Sequence, residues 1–117
     1  MQDVNVLVVF AARGEEIERL ALAAAVGAVQ GRANIRLRCL EVAPDREFVA
    51  PRDADAEWAD AIVAVKPSAA FAPADALTHY IDSLGAYRDR VSMAAVSSID
   101  EARVEGLRVA ETARAQK

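Results

Sequence analysis

Val4-Asn5-Val6-Leu7-Val8-Val9-Phe10 is an apolar run broken only by Asn5. A strand with one wet face alternates apolar and polar residues, whereas a strand covered by helices on both faces of a parallel sheet is apolar almost throughout. The run therefore reads as a strand buried on both sides. The pattern then changes period: Ile17, Leu20, Ala21, Ala24 and Ala28 recur at spacings of three and four, one apolar stripe of a helix that Gly31 can end. In Asn34–Val42, Ile35, Leu37 and Cys39 alternate with Arg36 and Arg38, as in an edge strand with one charged face.

The remainder repeats the alternation. Ala43 to Asp55, with Pro44, Asp45, Pro51 and Asp53, has no period and reads as a loop, followed by a short helical turn around Ala56–Ala59. Ala61–Val65 is a third strand, ended by Lys66-Pro67 because proline lacks the ladder donor and restricts the residue before it. After a loop at Ser68–Ala72, Pro73 suits a first helical turn, Leu77, Tyr80, Ile81 and Leu84 form the buried stripe, and Gly85 suits a left-handed cap. Val91–Val96 is a fourth strand. Ser98-Ile99-Asp100-Glu101 has the capping-box form before a last helix whose stripe is Ile99, Ala102, Gly106, Ala110 and Ala113, with Gly106 costing roughly 1 kcal/mol against alanine. Alternating strands and helices require right-handed crossovers and a parallel, doubly wound sheet.

The 117 residues suit one domain, 1–117, able to bury a core. A net charge of −4 and a pI near 5.0 argue against nucleic acid and anionic membrane surfaces, which need a basic face. No segment approaches the roughly 20 apolar residues that span a bilayer, and no basic region precedes an apolar one as in a secretory leader. Cys39, the single cysteine, reads as a small buried hydrophobe in a reducing compartment. The expected location is therefore the cytoplasm. His79 lies off the buried stripe of its helix, with no cysteine or second histidine near it to complete a metal site. Neither a P-loop, a nucleophile elbow nor a G-x-G-x-x-G fingerprint occurs.

Val6-Leu7-Val8-Val9-Phe10, then Ile17-Glu18-Arg19-Leu20-Ala21 and Gly27-Ala28, resemble the opening of the flavodoxin-like NAD(P)H:quinone oxidoreductases related to the tryptophan-repressor-binding protein. Asp60-Ala61-Ile62-Val63 through Lys66-Pro67-Ser68 and Ala70-Phe71 to Tyr80-Ile81-Asp82 and Gly85 are similar to that family's third strand, flavin-side loop and following helix. Ala102 to Gly106 and Val109-Ala110 are similar to its C-terminal helix. The resemblance implies a flavodoxin-like three-layer fold, with four strands here in the order 2-1-3-4, and FMN held at the carboxyl ends of the strands. It places the flavin site at Ala12, Arg13, Gly14, Glu15, Glu16, Ile17, Lys66, Pro67, Ser68, Phe71, Ser97 and Ser98.

Several of these positions depart from the pattern the resemblance implies. Ala12 stands where relatives carry a phosphate-binding hydroxyl, and Glu15 where they carry glycine at the helix tip that receives the FMN phosphate. A carboxylate about 5 Å from a phosphate costs roughly 3 kcal/mol per unit of phosphate charge at an effective dielectric near 20. Arg13 and Gly14 offset part of this, yet tight FMN binding is not expected. Glu15 and Glu16 instead satisfy the helix dipole by about 0.3–1 kcal/mol each. In the same way Phe71 is accounted for by local packing, Lys66 by solvation, and Ser97 and Ser98 by capping.

Ser97-Ser98 also passes directly into the final helix, where the resembling proteins have a third flavin loop, another helix and a fifth strand. The fourth strand then lies at an edge, and Val91–Val96 has none of the charges or prolines that guard edges. A second copy of the chain is the expected cover. The expected function is an oligomeric binding or regulatory module. The alternative is an FMN-dependent NAD(P)H:quinone oxidoreductase whose site is completed by another subunit.

Overall fold

The computed structural model describes residues 4–10, 15–40, 51–67 and 75–116. The elements are β1 (Val4–Phe10), α1 (Glu15–Gln30), β2 (Ala33–Cys39), α2 (Asp53–Trp58), β3 (Ala61–Pro67), α3 (Asp75–Ser83), a 3-10 turn (Gly85–Arg90), β4 (Val91–Val96) and α4 (Ile99–Ala115). All strand pairs are parallel, in the order β2-β1-β3-β4. Central β1 pairs with β2 from Val4↔Ala33 to Phe10↔Cys39 and with β3 from Val6↔Ala61 to Phe10↔Val65.

The apolar run has the cause expected of it. Val4, Val6, Val8 and Phe10 point into a cluster with α1 and α4, while Leu7 and Val9 point into a second cluster with Ala56 of α2 and Leu77 of α3. Helices therefore cover both faces. Asn5, the single interruption, binds the approach to β3: its amide donates to Asp60 Oδ2 at 2.8 Å, its side chain donates to the Trp58 carbonyl at 3.2 Å, and its carbonyl accepts from the Asp60 amide at 2.7 Å. A polar residue is tolerated in the central strand because each of these groups has a partner.

Three expectations change in detail. α2 begins at Asp53, earlier than the turn expected at Ala56–Ala59, and this brings Asp55 onto the sheet. β3 continues through Pro67, which pairs with Val96 of β4. Ile99 is exposed at 52%, and Val109 takes its place among the buried residues of α4. As expected, α1 stops before Gly31, whose amide donates to the Gly27 carbonyl, and the residue in the left-handed region is the following Arg32, at φ 64°. Gly85 does take the expected cap conformation, at φ 59°.

Glycine in α1 and α4 has a steric reason that helix propensity hides. A Cβ on Gly27 would stand 1.8 Å from the Arg103 carbonyl oxygen, and one on Gly106 would stand 1.9 Å from the Ala24 carbonyl oxygen. The two helices touch backbone to backbone. With Ala21, Ala24, Ala28, Ala102, Ala110 and Ala113 around the crossing, small residues let both helices lie close while still covering the sheet.

Candidate functional site

In an open parallel sheet, ligands bind outside the carboxyl ends of the strands where the strand order reverses. Here the order reverses between β1 and β3, so the crevice opens beyond Phe10 and Pro67. Glu15 and Glu16 are the first two residues of α1, which rises from that crevice. Ile17 is 6% exposed, its side chain packed into the core, which leaves a ligand only its backbone. Lys66 and Pro67 end β3 and pair with Ala95 and Val96, so Ser97 and Ser98 follow β4 at the same end of the sheet. Ala12, Arg13, Gly14, Ser68 and Phe71 lie outside the described residues, as does Pro73.

Ser97 and Ser98 are exposed and committed to the start of α4. Ser98 Oγ accepts from the Glu101 amide at 3.1 Å, while Glu101 Oε2 accepts from the Ser97 amide at 2.8 Å and from Ser97 Oγ at 3.1 Å. These reciprocal bonds form the capping box that starts α4. His79 is exposed and Cys39 is 4% exposed, as expected. Among the described residues no group of three or more His, Cys, Asp or Glu could hold a metal ion, and no helix is long and apolar enough to cross a membrane.

A second polar centre escaped the sequence reading. Asp55 on α2 is 4% exposed, and both its oxygens are filled. Oδ1 accepts from Arg36 Nη1 at 2.9 Å and Arg38 Nη2 at 3.3 Å, while Oδ2 accepts from Arg38 Nε at 3.0 Å and the Arg52 amide at 2.9 Å. Burial pushes the Asp55 carboxyl up, but the Arg52 amide and the two guanidinium groups outweigh it and hold its pKa below the ordinary value. The Arg36 guanidinium also lies 4.3 Å from the Trp58 ring centroid. The charged face of β2 is thus a docking surface for α2. The signal for it was the same-side pair Arg36 and Arg38 facing a loop with Asp53 and Asp55. With no free acceptor left, Asp55 is a structural anchor, not a proton carrier.

Behind α2, the hydroxyl of Tyr80 is buried with no hydrogen-bond partner among the described residues. Burial, with Asp55 and then Asp53 adding to it, pushes its pKa up to about 12 from 10. The sign for stability follows from proton counts. Between pH 10 and 12 the unfolded chain has lost this proton and the folded chain has kept it, so stability falls as pH rises. After solvent screening of a partly exposed ring, the fall attributable to Tyr80 is of the order of 1–2 kcal/mol. Urea unfolding at pH 8 and pH 11 should show a larger loss for the parent than for Tyr80→Phe; equal losses would contradict the assignment.

No protein-family model and no curated protein matches the chain. Solved structures do. A flavodoxin from the domain Archaea superposes with a TM-score of 0.68 over 95% of this chain and 99% of its own, at 12% identity. The fold is flavodoxin-like. A flavodoxin-like domain from a Synechococcus protein gives a TM-score of 0.59 at 15% identity, covering 94% of this chain and 99% of that one. An arginine phosphatase with a phosphorylated active-site serine gives 0.57 at 14% identity, covering 96% and 95%. At such identities the likeness concerns the flavodoxin-like architecture and not the chemistry hosted on it.

Proposed function

We propose that this flavodoxin-like chain is a binding or regulatory module that has lost tight hold of FMN and works as an oligomer. The observation that carries the reading is the position of Glu15 and Glu16 as the first two residues of α1, at the reversal of strand order. A helix tip attracts anions because its first amides are unpaired and its dipole is positive there. Two carboxylates supply that negative charge from within the chain and repel a phosphate. The residues at this tip do not fit FMN.

Titrating FMN and following its fluorescence is expected to show no saturation in the micromolar range, and Glu15→Gln with Glu16→Gln should tighten binding about tenfold or more, since each 1.4 kcal/mol of relieved repulsion is a factor of ten. Micromolar binding by the unaltered chain would move the reading to its rival, the FMN-dependent NAD(P)H:quinone oxidoreductase completed by another subunit. The likeness of the segments around Phe10 and Lys66-Pro67-Ser68 to that family supports the rival.

The oligomer reading rests on β4. Its outer side has no strand partner among the described residues, and Met93 is 46% exposed on a segment without charge or proline. Light scattering at about 50 μM should give at least a dimer, within reach of ordinary micromolar association, and Met93→Lys should shift it toward monomer. A monomeric parent would refute pairing through this edge.

A further inference from the structure

From Leu20 to Val29, α1 carries no polar side chain at all. One side of that stretch serves α4 and the sheet, and the other faces outward. Leu22, Val26 and Val29, at the i, i+4, i+7 spacing of a single helix face, are 46%, 50% and 53% exposed. On α4, Val104 is 53% exposed, on the side turned away from buried Ala102, Gly106 and Val109. Of the six large apolar side chains exposed among the described residues, four therefore lie on the outer side of this helix layer, and none lies on α2 or α3. A helix apolar on every side is ordinarily covered on every side, and an exposed apolar patch of this kind marks an association surface.

We infer that this face binds the same face of a second copy of the chain, the two helix layers lying back to back about a twofold axis. Symmetry points to a copy. The α1 stripe runs from Leu22 to Val29, and its midpoint falls between Ala24 and Gly27. The exposed α4 stripe is Asp100, Val104 and Arg108, and its midpoint, Val104, falls between Arg103 and Gly106. Those four flanking residues are where the two helices cross, Gly27 against the Arg103 carbonyl and Gly106 against the Ala24 carbonyl. One axis laid across the crossing thus centres both stripes, as a self-complementary interface requires.

Charge sets the order of the helices. Turned about this axis, Asp100 meets the partner's Arg108 and Arg108 meets the partner's Asp100, on either side of the two Val104 side chains. In parallel order Asp100 would meet its own kind, which is disfavoured. Of the other acids on this side of α4, Glu101 holds Ser97 and Glu105 holds Arg108 within the chain. The Arg108 guanidinium, with five donors, then serves two carboxylates, its own Glu105 and the partner's Asp100. Glu111 stands about 10 Å along the helix from the axis, outside the central contacts. The size is adequate too. With 16 and 17 residues, α1 and α4 present a face about 25 Å long. Two helix widths make it about 20 Å across, so the footprint is roughly 500 Å² in plan, which side-chain relief raises toward the roughly 800 Å² per partner of a standard interface.

The inference shares with the functional reading only self-association and does not use the β4 edge, so the two fail separately. Light scattering of the full chain at about 50 μM compares the parent, Met93→Lys, Val26→Glu and the two changes combined. With both surfaces in use the parent is a tetramer, each single variant a dimer and the combined variant a monomer. With the β4 edge idle, the parent and Met93→Lys are dimers and Val26→Glu is a monomer. In either case Val26→Glu halves the mass while keeping the parental circular dichroism spectrum, because its position is exposed. A Val26→Glu protein with the mass of the parent overturns the inference, whatever Met93→Lys does. Asp100→Lys and Arg108→Glu test the order of the helices without touching the apolar stripe. Each alone should weaken association about tenfold, and the two together should restore it to within about threefold of the parent. Single reversals without effect, or a double variant no tighter than the singles, would overturn the antiparallel contact.

Discussion

Gly106→Ala is expected to destabilise the chain by about 3 kcal/mol or more, although alanine is the better helix former by about 1 kcal/mol. The added Cβ would lie 1.9 Å from the Ala24 carbonyl oxygen, with the Ala24 carbonyl carbon at 2.8 Å behind it. Overpacking in a core usually costs 1–3 kcal/mol because side chains rotate out of the way. Here the obstacle is main chain, and no rotamer relieves it. The helices would have to separate by more than an ångström, which would loosen Ala21, Ala28, Ala102 and Ala110 from one another and from the strands below. Gly27→Ala repeats the collision from the other helix, at 1.8 Å from the Arg103 carbonyl oxygen. Gly85→Ala is the control: its Cβ would meet nothing within 4 Å, and the positive φ alone should cost about 1 kcal/mol. Thermal unfolding should show Gly106→Ala lower than the parent by well over 10 °C, at roughly 4–8 °C per kcal/mol in a domain of this size. A Gly106→Ala protein as stable as the parent would mean that the helices do not cross at this contact.

Much of the architecture was legible because periodicity and burial have one cause. The unbroken run in β1 meant two covered faces, the alternation in β2 meant an edge, and the limits of β4 matched the apolar run Val91–Val96. Where the reading slipped, a tertiary contact outweighed a local signal. Pro67 stays in β3 because it pairs with Val96 of β4. Gly106 looked like a defect when its helix was considered alone. Its purpose is visible only with α1 in place. The site was less legible, since Ser97 and Ser98 carry hydroxyls equally suited to a ligand or a cap, and the cap with Glu101 is seen only in the fold. Arg36 and Arg38 misled in the opposite sense, because a charged strand face looks solvated until an acid 17 to 19 residues further on returns to it.

Asp55→Ala is the second large effect expected, a loss of about 2–4 kcal/mol with the flavodoxin-like fold retained at low temperature. Breaking a buried ion pair by removing one partner commonly costs 3–5 kcal/mol, because a charge is left without compensation. Arg36 and Arg38 keep 36% and 23% of their side-chain surface in water, so part of their charge can rehydrate and the lower part of that range applies. The Arg52 amide cannot escape as readily, since it sits at the start of α2 and loses its acceptor. Asp55→Asn keeps the shape but replaces one acceptor oxygen by a donor facing donors, so it should be nearly as damaging as alanine. Sign and pH agree with this assignment. A carboxyl whose folded pKa lies below its ordinary value near 3.8 adds stability at neutral pH that is lost as pH falls through the folded value. Urea unfolding from pH 7 down to pH 3 should therefore narrow the gap between the parent and Asp55→Asn. If the gap is constant across that range, the stabilising contribution of Asp55 is not its charge, and the arginine face of β2 is held by something other than the ion cluster.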